Sequence, residues 1–126
     1  MLLRPIGLAA VKYMLLIYNN PAAIEAMSEQ ERTGLFAEVD TIMAELTASG
    51  EMIRGEGLAA QAKTVRLRGG VVATTDGPFV EAKEQFAGYI AVDVATPERA
   101  VEIAARWPDA RWGAMEVREI LGGSEG

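Results

Sequence analysis

Strand and helix signals follow one another along this chain in the order β-α-β-(β-hairpin)-β-α-β, which predicts an α+β fold, a split βαβ arrangement with an inserted hairpin. Three observations carry that prediction. Val11–Tyr18 (VKYMLLIY) and Phe86–Val94 (FAGYIAVDV) concentrate the branched and aromatic residues that strands favour. Two stretches with apolar residues at helical spacing each follow a capping residue. Between them, two alternating runs meet at Gly69-Gly70, the mark of a two-residue hairpin turn. At 126 residues the chain has the length of one domain and can bury about two thirds of its unfolded surface.

Taken in order, Val11–Tyr18 is a strand that ends at the turn residues Asn19-Asn20-Pro21. Ser28-Glu29-Gln30-Glu31 matches a capping box. Leu35, Phe36, Val39, Ile42, Met43 and Leu46 then form one apolar stripe, closed by Gly50 as a left-handed cap. Met52–Leu58 reads as a short strand in which Gly55 and Gly57 mark a bulge or a close backbone approach. Thr64–Arg68 and Val71–Thr75 are the arms of the hairpin, and Phe86–Val94 is the strongest strand. Thr96 caps a second helix with Pro97 at its first position, running to Arg106 with Ala100, Val101, Ala104 and Trp107 on one side. Ala114–Ile120 (AMEVREI) is the last strand.

The strands carry apolar residues on both sides. In the first, Val11, Tyr13, Leu15 and Ile17 oppose Met14, Leu16 and Tyr18; in the strongest, Phe86, Ile90, Val92 and Val94 oppose Ala87, Tyr89 and Ala91. Two helices cover one face only, and a strand apolar on both faces expects cover on both. A second copy of the chain, packed sheet to sheet, supplies it, so a homodimer is expected.

Composition removes whole classes of chemistry. Half of the residues are hydrophobic and 24% are charged, as in an ordinary globular protein. Twelve Lys and Arg against 18 Asp and Glu give a net charge of −6. Phosphate backbones are repelled by such a surface, and direct nucleic-acid binding is not expected. With no cysteine there is no disulfide, thiolate nucleophile or zinc–sulfur site. With no histidine the chain cannot hold an imidazole base, a His–metal ligand or a Ser–His–Asp triad of its own. Ser28, Ser49 and Ser124 stand at helix ends and in the tail, and Gly55-Glu56-Gly57 alone is no dinucleotide fingerprint. Neither a cofactor nor a metal is expected.

Met1–Ala10 holds one charge, Arg4, and a short apolar stretch, far short of the ~20 apolar residues of a membrane span. It reads as a leader or non-native extension before a domain spanning residues 11–121, with 122–126 a flexible, Gly-rich tail. A cytoplasmic location without membrane contact is the expectation.

Polar chemistry gathers in Asp76-Gly77-Pro78-Phe79-Val80-Glu81-Ala82-Lys83-Glu84. One reading is a structured strand connection with solvated charges, since Asp-Gly-Pro is turn chemistry. The other is a loop presenting Asp76, Glu81, Lys83 and Glu84 to a cleft, where neighbouring charges shift one another and a carboxyl group serves as acid or base. Lys63, Arg66 and Arg68, with Arg54, read either as the solvent side of an edge hairpin or as a surface for an acidic partner. Glu116 and Arg118 share one strand face, as a charge pair or as part of a site.

The run DGPFVEAKE at Asp76–Glu84, followed by FAGYIA at Phe86–Ala91, resembles the signature of DGPF-domain proteins, a branch of the YCII-related family. The similarity extends from Lys12 to Arg118. It implies a ferredoxin-like fold assembled as a dimeric α+β barrel, and a function that is uncharacterised in most members. Some relatives carry a proposed catalytic His–Asp pair, which this chain cannot complete. Acid–base work then falls to carboxylates, Lys or Tyr, with Asp76 foremost by its position at a strand end before the tight turn, beside Glu81 and Glu84. Lys83, Arg54 and Arg118 are candidates to hold a small anionic ligand, and Tyr18 and Tyr89 to line its cleft. The family's genomic company implies an alternative, a non-catalytic module linked to an extracytoplasmic-function sigma factor.

Overall fold

The computed structural model describes residues 11–79 and 82–121. Its elements are β1 (Val11–Asn19), α1 (Pro21–Glu25), α2 (Glu29–Ser49), β2 (Met52–Gly57) and β3 (Lys63–Arg68). They continue with β4 (Val71–Asp76), β5 (Gln85–Val94), α3 (Pro97–Arg106), α4 (Asp109–Trp112) and β6 (Ala114–Glu119). The expected leader (1–10), the tail (122–126) and Glu81 lie outside the described residues.

Local chemistry sets the helix ends. The Ser28 hydroxyl accepts from the Glu31 N–H at 3.1 Å while the Glu31 carboxylate accepts from the Ser28 N–H at 2.8 Å, closing the capping box of α2. Gly50 ends that helix at φ 82°, a conformation that costs glycine little. Thr96 caps α3 by accepting from the Arg99 N–H at 3.2 Å. The sequence signals do not reveal α1 and α4, which are too short to show a helical period.

β2, β5, β1 and β6 form one antiparallel sheet in that order, the ferredoxin-like arrangement. Leu15, Leu46, Val92, Val94 and Ile103 centre the core between this sheet and the helices. On α3 the buried side is Ala100, Ile103, Ala104 and Trp107, while Val101 faces solvent. Ile103 takes the place expected of Val101 and completes the i, i+3, i+4, i+7 face.

The apolar stripe of α2 is buried at Ile42 and Leu46, with Val39 and Met43 packed against the core, while Phe36 on the same stripe is 66% exposed. One further expectation is corrected by packing. Phe86 does not share a face with Ile90. A register shift pairs Tyr18 with Phe86 and Ile17 with Gly88, and one extra residue switches sides under a two-residue period. The Phe86 ring meets Tyr18 instead, 5.7 Å between centroids.

The expected hairpin forms, with Gly69 and Gly70 at φ 56° and 78° as a type I′ turn requires. It is a two-stranded sheet of its own, not hydrogen-bonded to the main one. Among the described residues no helix or strand covers the sheet face opposite the helices, and no helix is long and apolar enough to cross a membrane.

Candidate functional site

Small residues on the sheet and large ones on the helix create a hollow. The overhanging half of α2 presents Leu35, Phe36, Val39 and Met43, while the sheet below offers Gly55 and Gly57 of β2 and Ala87 of β5. A Cβ on Gly55 would press on the Ile90 side chain at 2.7 Å, whereas one on Gly57 would meet nothing within 4 Å. The resulting cleft is about 430 Å³, closed further by Ile17 and Trp107. Predominantly apolar walls with a few convergent polar groups are the usual make-up of a small-molecule site.

The polar side chains belong to Asn19, Arg32, Asp109 and Trp112. Asn19 at the end of β1 donates through its amide to the Asp109 carboxylate at 2.9 Å, joining the end of β1 to the start of α4. Arg32 has no carboxylate partner among the described residues. Its guanidinium donates to the carbonyls of Ile24 and Glu25, both at 3.4 Å, which is long for a hydrogen bond. The Trp112 indole N–H is shut off from solvent and has no acceptor among the described residues, a donor left over at the cleft wall. The cleft thus combines an under-used cation, a spare donor and a carboxylate with an apolar body.

The opposite sheet face carries a second arrangement. The Tyr89 hydroxyl donates to Glu56 Oε1 at 2.5 Å, Arg54 donates to the same oxygen at 3.0 Å, and the guanidinium lies 5.9 Å from the Tyr89 ring centre. The hydrogen bond from Tyr89, then that from Arg54, holds the Glu56 carboxyl below its ordinary pKa, and the bond to Glu56 raises the Tyr89 phenol. At the other edge the Tyr18 hydroxyl donates to Glu116 at 3.1 Å; burial first, then that bond, raises its pKa. The signs differ. The lowered Glu56 favours the folded state above the unfolded carboxylate pKa, an effect lost as pH falls through its folded value. The raised Tyr89 favours the folded state below the ordinary tyrosine pKa, an effect lost as pH rises through its folded value. Carboxyl carbon NMR should show Glu56 titrating below the ordinary glutamate value. Tyr89→Phe is expected to move it back toward the ordinary range, and an unchanged midpoint would refute the bond's role.

A model of the YCII-related domain matches residues 11–122. The chain belongs to the YCII-related family. An uncharacterised protein of Rhizobium meliloti (strain 1021) is 28% identical over 112 residues, covering 86% of this chain and 90% of that protein. Resemblance at the DGPF run and the ferredoxin-like topology therefore point the same way.

In this YCII-related protein the residues singled out by sequence fall into separate places. Arg54 and Tyr89 meet on the open sheet face, and Tyr18 lies at its far edge with Glu116, close enough to Arg118 for its charge to act on the phenol. Asp76 stands at the foot of the β3–β4 hairpin, its side chain 89% exposed and paired with Lys63 at 2.7 Å. It borders a shallow open hollow with Gln61, Lys63 and Gly77, not the cleft under α2. Lys83 and Glu84 are exposed in the segment before β5. Sequence reasoning passed over Arg32, Asn19 and Asp109 as site residues. Arg32 could have been found: it falls four residues before Phe36 and seven before Val39, a cation on the apolar stripe of α2. Asn19 and Asp109 lie 90 residues apart, and no local pattern links them.

Proposed function

We propose that this YCII-related protein binds a small molecule with an apolar body and an anionic head in the cleft beneath α2, and moves a proton on it with a carboxylate. The observation that carries the reading is the cleft itself, apolar along α2 and the sheet, with Arg32 at its border paired to no carboxylate among the described residues. A guanidinium so placed suits a carboxylate or similar anion. Asp109, oriented by the Asn19 amide, is the proton-handling group nearest that design. The alternative, a non-catalytic module serving a sigma-factor-linked regulator, draws support from no particular residue.

Thermal unfolding in the presence of phenylacetate, cinnamate and medium-chain fatty acids, each beside its neutral amide, tests this. Acids that bind are expected to raise the midpoint by several degrees, since ligand at 100 times Kd adds about 2.7 kcal/mol. Arg32→Gln should weaken binding by about tenfold or more, the worth of a charged hydrogen bond. Asp109→Asn should keep binding and lose turnover of any acid found to react. No stabilisation by any acid, or equal binding by Arg32→Gln, overturns the reading.

The open sheet face favours a second proposal, the homodimer. Met14, Leu16, Tyr18, Phe86, Tyr89 and Ala91 make an apolar centre, and register sets Arg54 level with Arg118 and Glu56 level with Glu116. One basic row and one acidic row cross the sheet side by side. A second copy with its strands reversed lays basic row on acidic row and apolar centre on apolar centre.

A further inference from the structure

The β3–β4 hairpin is closed at its foot by contacts among its own residues and buries little beyond it. At the foot, the Gly77 N–H donates to the Ala62 carbonyl at 2.7 Å and the Thr64 hydroxyl donates to the Gly77 carbonyl at 2.8 Å. Lys63 pairs with Asp76, and the Arg66 guanidinium lies 4.7 Å over the Phe79 ring. Gly77 adopts φ 100°, which few other residues tolerate. Three of the four DGPF residues, Asp76, Gly77 and Phe79, therefore work as the root and brace of the hairpin. Beyond the root, Val65, Leu67, Val71 and Val72 are 62–66% exposed, and Leu67 faces Val72 across the strands. A lone two-stranded hairpin is marginally stable in water, and its apolar side chains gain nothing there.

Charge indicates what covers them. The hairpin carries Lys63, Arg66 and Arg68 against the single acid Asp76, in a chain whose acidic residues outnumber the basic by 18 to 12. Helix α2 alone carries Glu29, Glu31, Glu38, Asp40 and Glu45 against Arg32, with Glu38 paired to Arg111 and Glu45 to Arg106. A basic, apolar arm on an acidic body complements another copy of the same body. The arm also departs from β2, the edge strand that bears Arg54 and Glu56 on the open face.

We infer that the β3–β4 hairpin, braced by Asp76, Gly77 and Phe79, is an arm that docks on a second copy of this chain. The inference rests on the homodimer reading and adds to it the element that clasps the partner.

Sedimentation velocity of the full chain over a dilution series tests it. Wild type is expected to be a dimer that loosens as salt rises, because the arm's charges contribute. Leu67→Asp together with Val72→Asp leaves the body untouched and should weaken the dimer about a hundredfold. Arg66→Glu together with Arg68→Glu should weaken it about tenfold and remove most of the salt dependence. Replacing residues 64–75 by a short Gly-Ser turn gives the same readout should a charged hairpin fail to form, with far-UV circular dichroism reporting that the helices persist. Dimers of unchanged Kd in all three variants overturn the arm and leave the open-face interface standing, which Leu16→Asp then probes by itself. A wild-type chain that is monomeric at every concentration overturns both.

Discussion

Gly113→Ala is expected to lower the unfolding midpoint by about 10 °C or more, the loss of roughly 3 kcal/mol from a domain of this size. Gly113 joins α4 to β6, and its N–H donates to the Asp109 carbonyl at 2.8 Å. A Cβ there would run into the Tyr18 carbonyl oxygen, with Asn19 Cα 3.2 Å away. Both obstacles are backbone of β1, so no side chain can rotate aside. Relief would need β6 to part from β1 at the Tyr18–Ala114 rung, which also carries Asn19 away from Asp109 and shifts Trp112. The added methyl thus strikes the fold and the polar groups of the cleft together. Gly34→Ala is the control: the same methyl on an exposed helical position meets nothing within 4 Å and should leave stability equal or slightly higher. An unfolding midpoint equal to wild type in Gly113→Ala refutes the close approach.

Gly57→Leu is expected to abolish binding in the cleft while the protein stays folded. Gly57 alternates with Glu56, so a side chain there would share the helix-facing side of β2 with Gly55. Its Cβ position is empty to 4 Å, and an isobutyl group extending from it would occupy the hollow under Phe36 and Val39. Anilinonaphthalene sulfonate, an aromatic anion whose fluorescence rises in apolar surroundings, serves as the probe. Wild type should bind it with enhancement, and Gly57→Leu should lose about a hundredfold in affinity as the volume is filled. Arg32→Gln should lose less, because the apolar body still fits. Retained dye affinity in a folded Gly57→Leu protein would show that the cleft is not the site.

These two glycines illustrate what can be read from a linear chain. Gly55 and Gly57 are visible in sequence as a weakness in a strand, and a close backbone approach is a fair expectation from them. That one is hemmed in by Ile90 while the other opens onto empty space depends on how β5 and α2 lie against β2. The two-faced strands are equally legible, since Met14, Leu16 and Tyr18 alternate with the core residues of β1. Phe86 is not, because a single irregularity opposite Ile17 and Tyr18 reverses the face of everything beyond it. Asp76 attracted attention through company: three carboxylates and a lysine within a short stretch look like a site. In space Asp76 turns to Lys63 at the foot of the hairpin, and the groups around the cleft come from β1, α2 and α4. The absence of histidine, by contrast, is a fact that no folding alters.

Local chemistry alone determined the six strands and the two long helices, their order, the capped ends of α2 and α3 and the tight Gly69-Gly70 turn, because each depends on residues within a few positions of one another. It also determined that any proton transfer by this chain uses acids, amines or phenols. Only the tertiary structure decided that α2 lifts away from small sheet residues to leave a cleft, that Asn19, Arg32 and Asp109 all line it, and that the hairpin stands apart. Those outcomes follow from packing between segments far apart in the chain, where side-chain volumes must be matched together and no short stretch contains the answer.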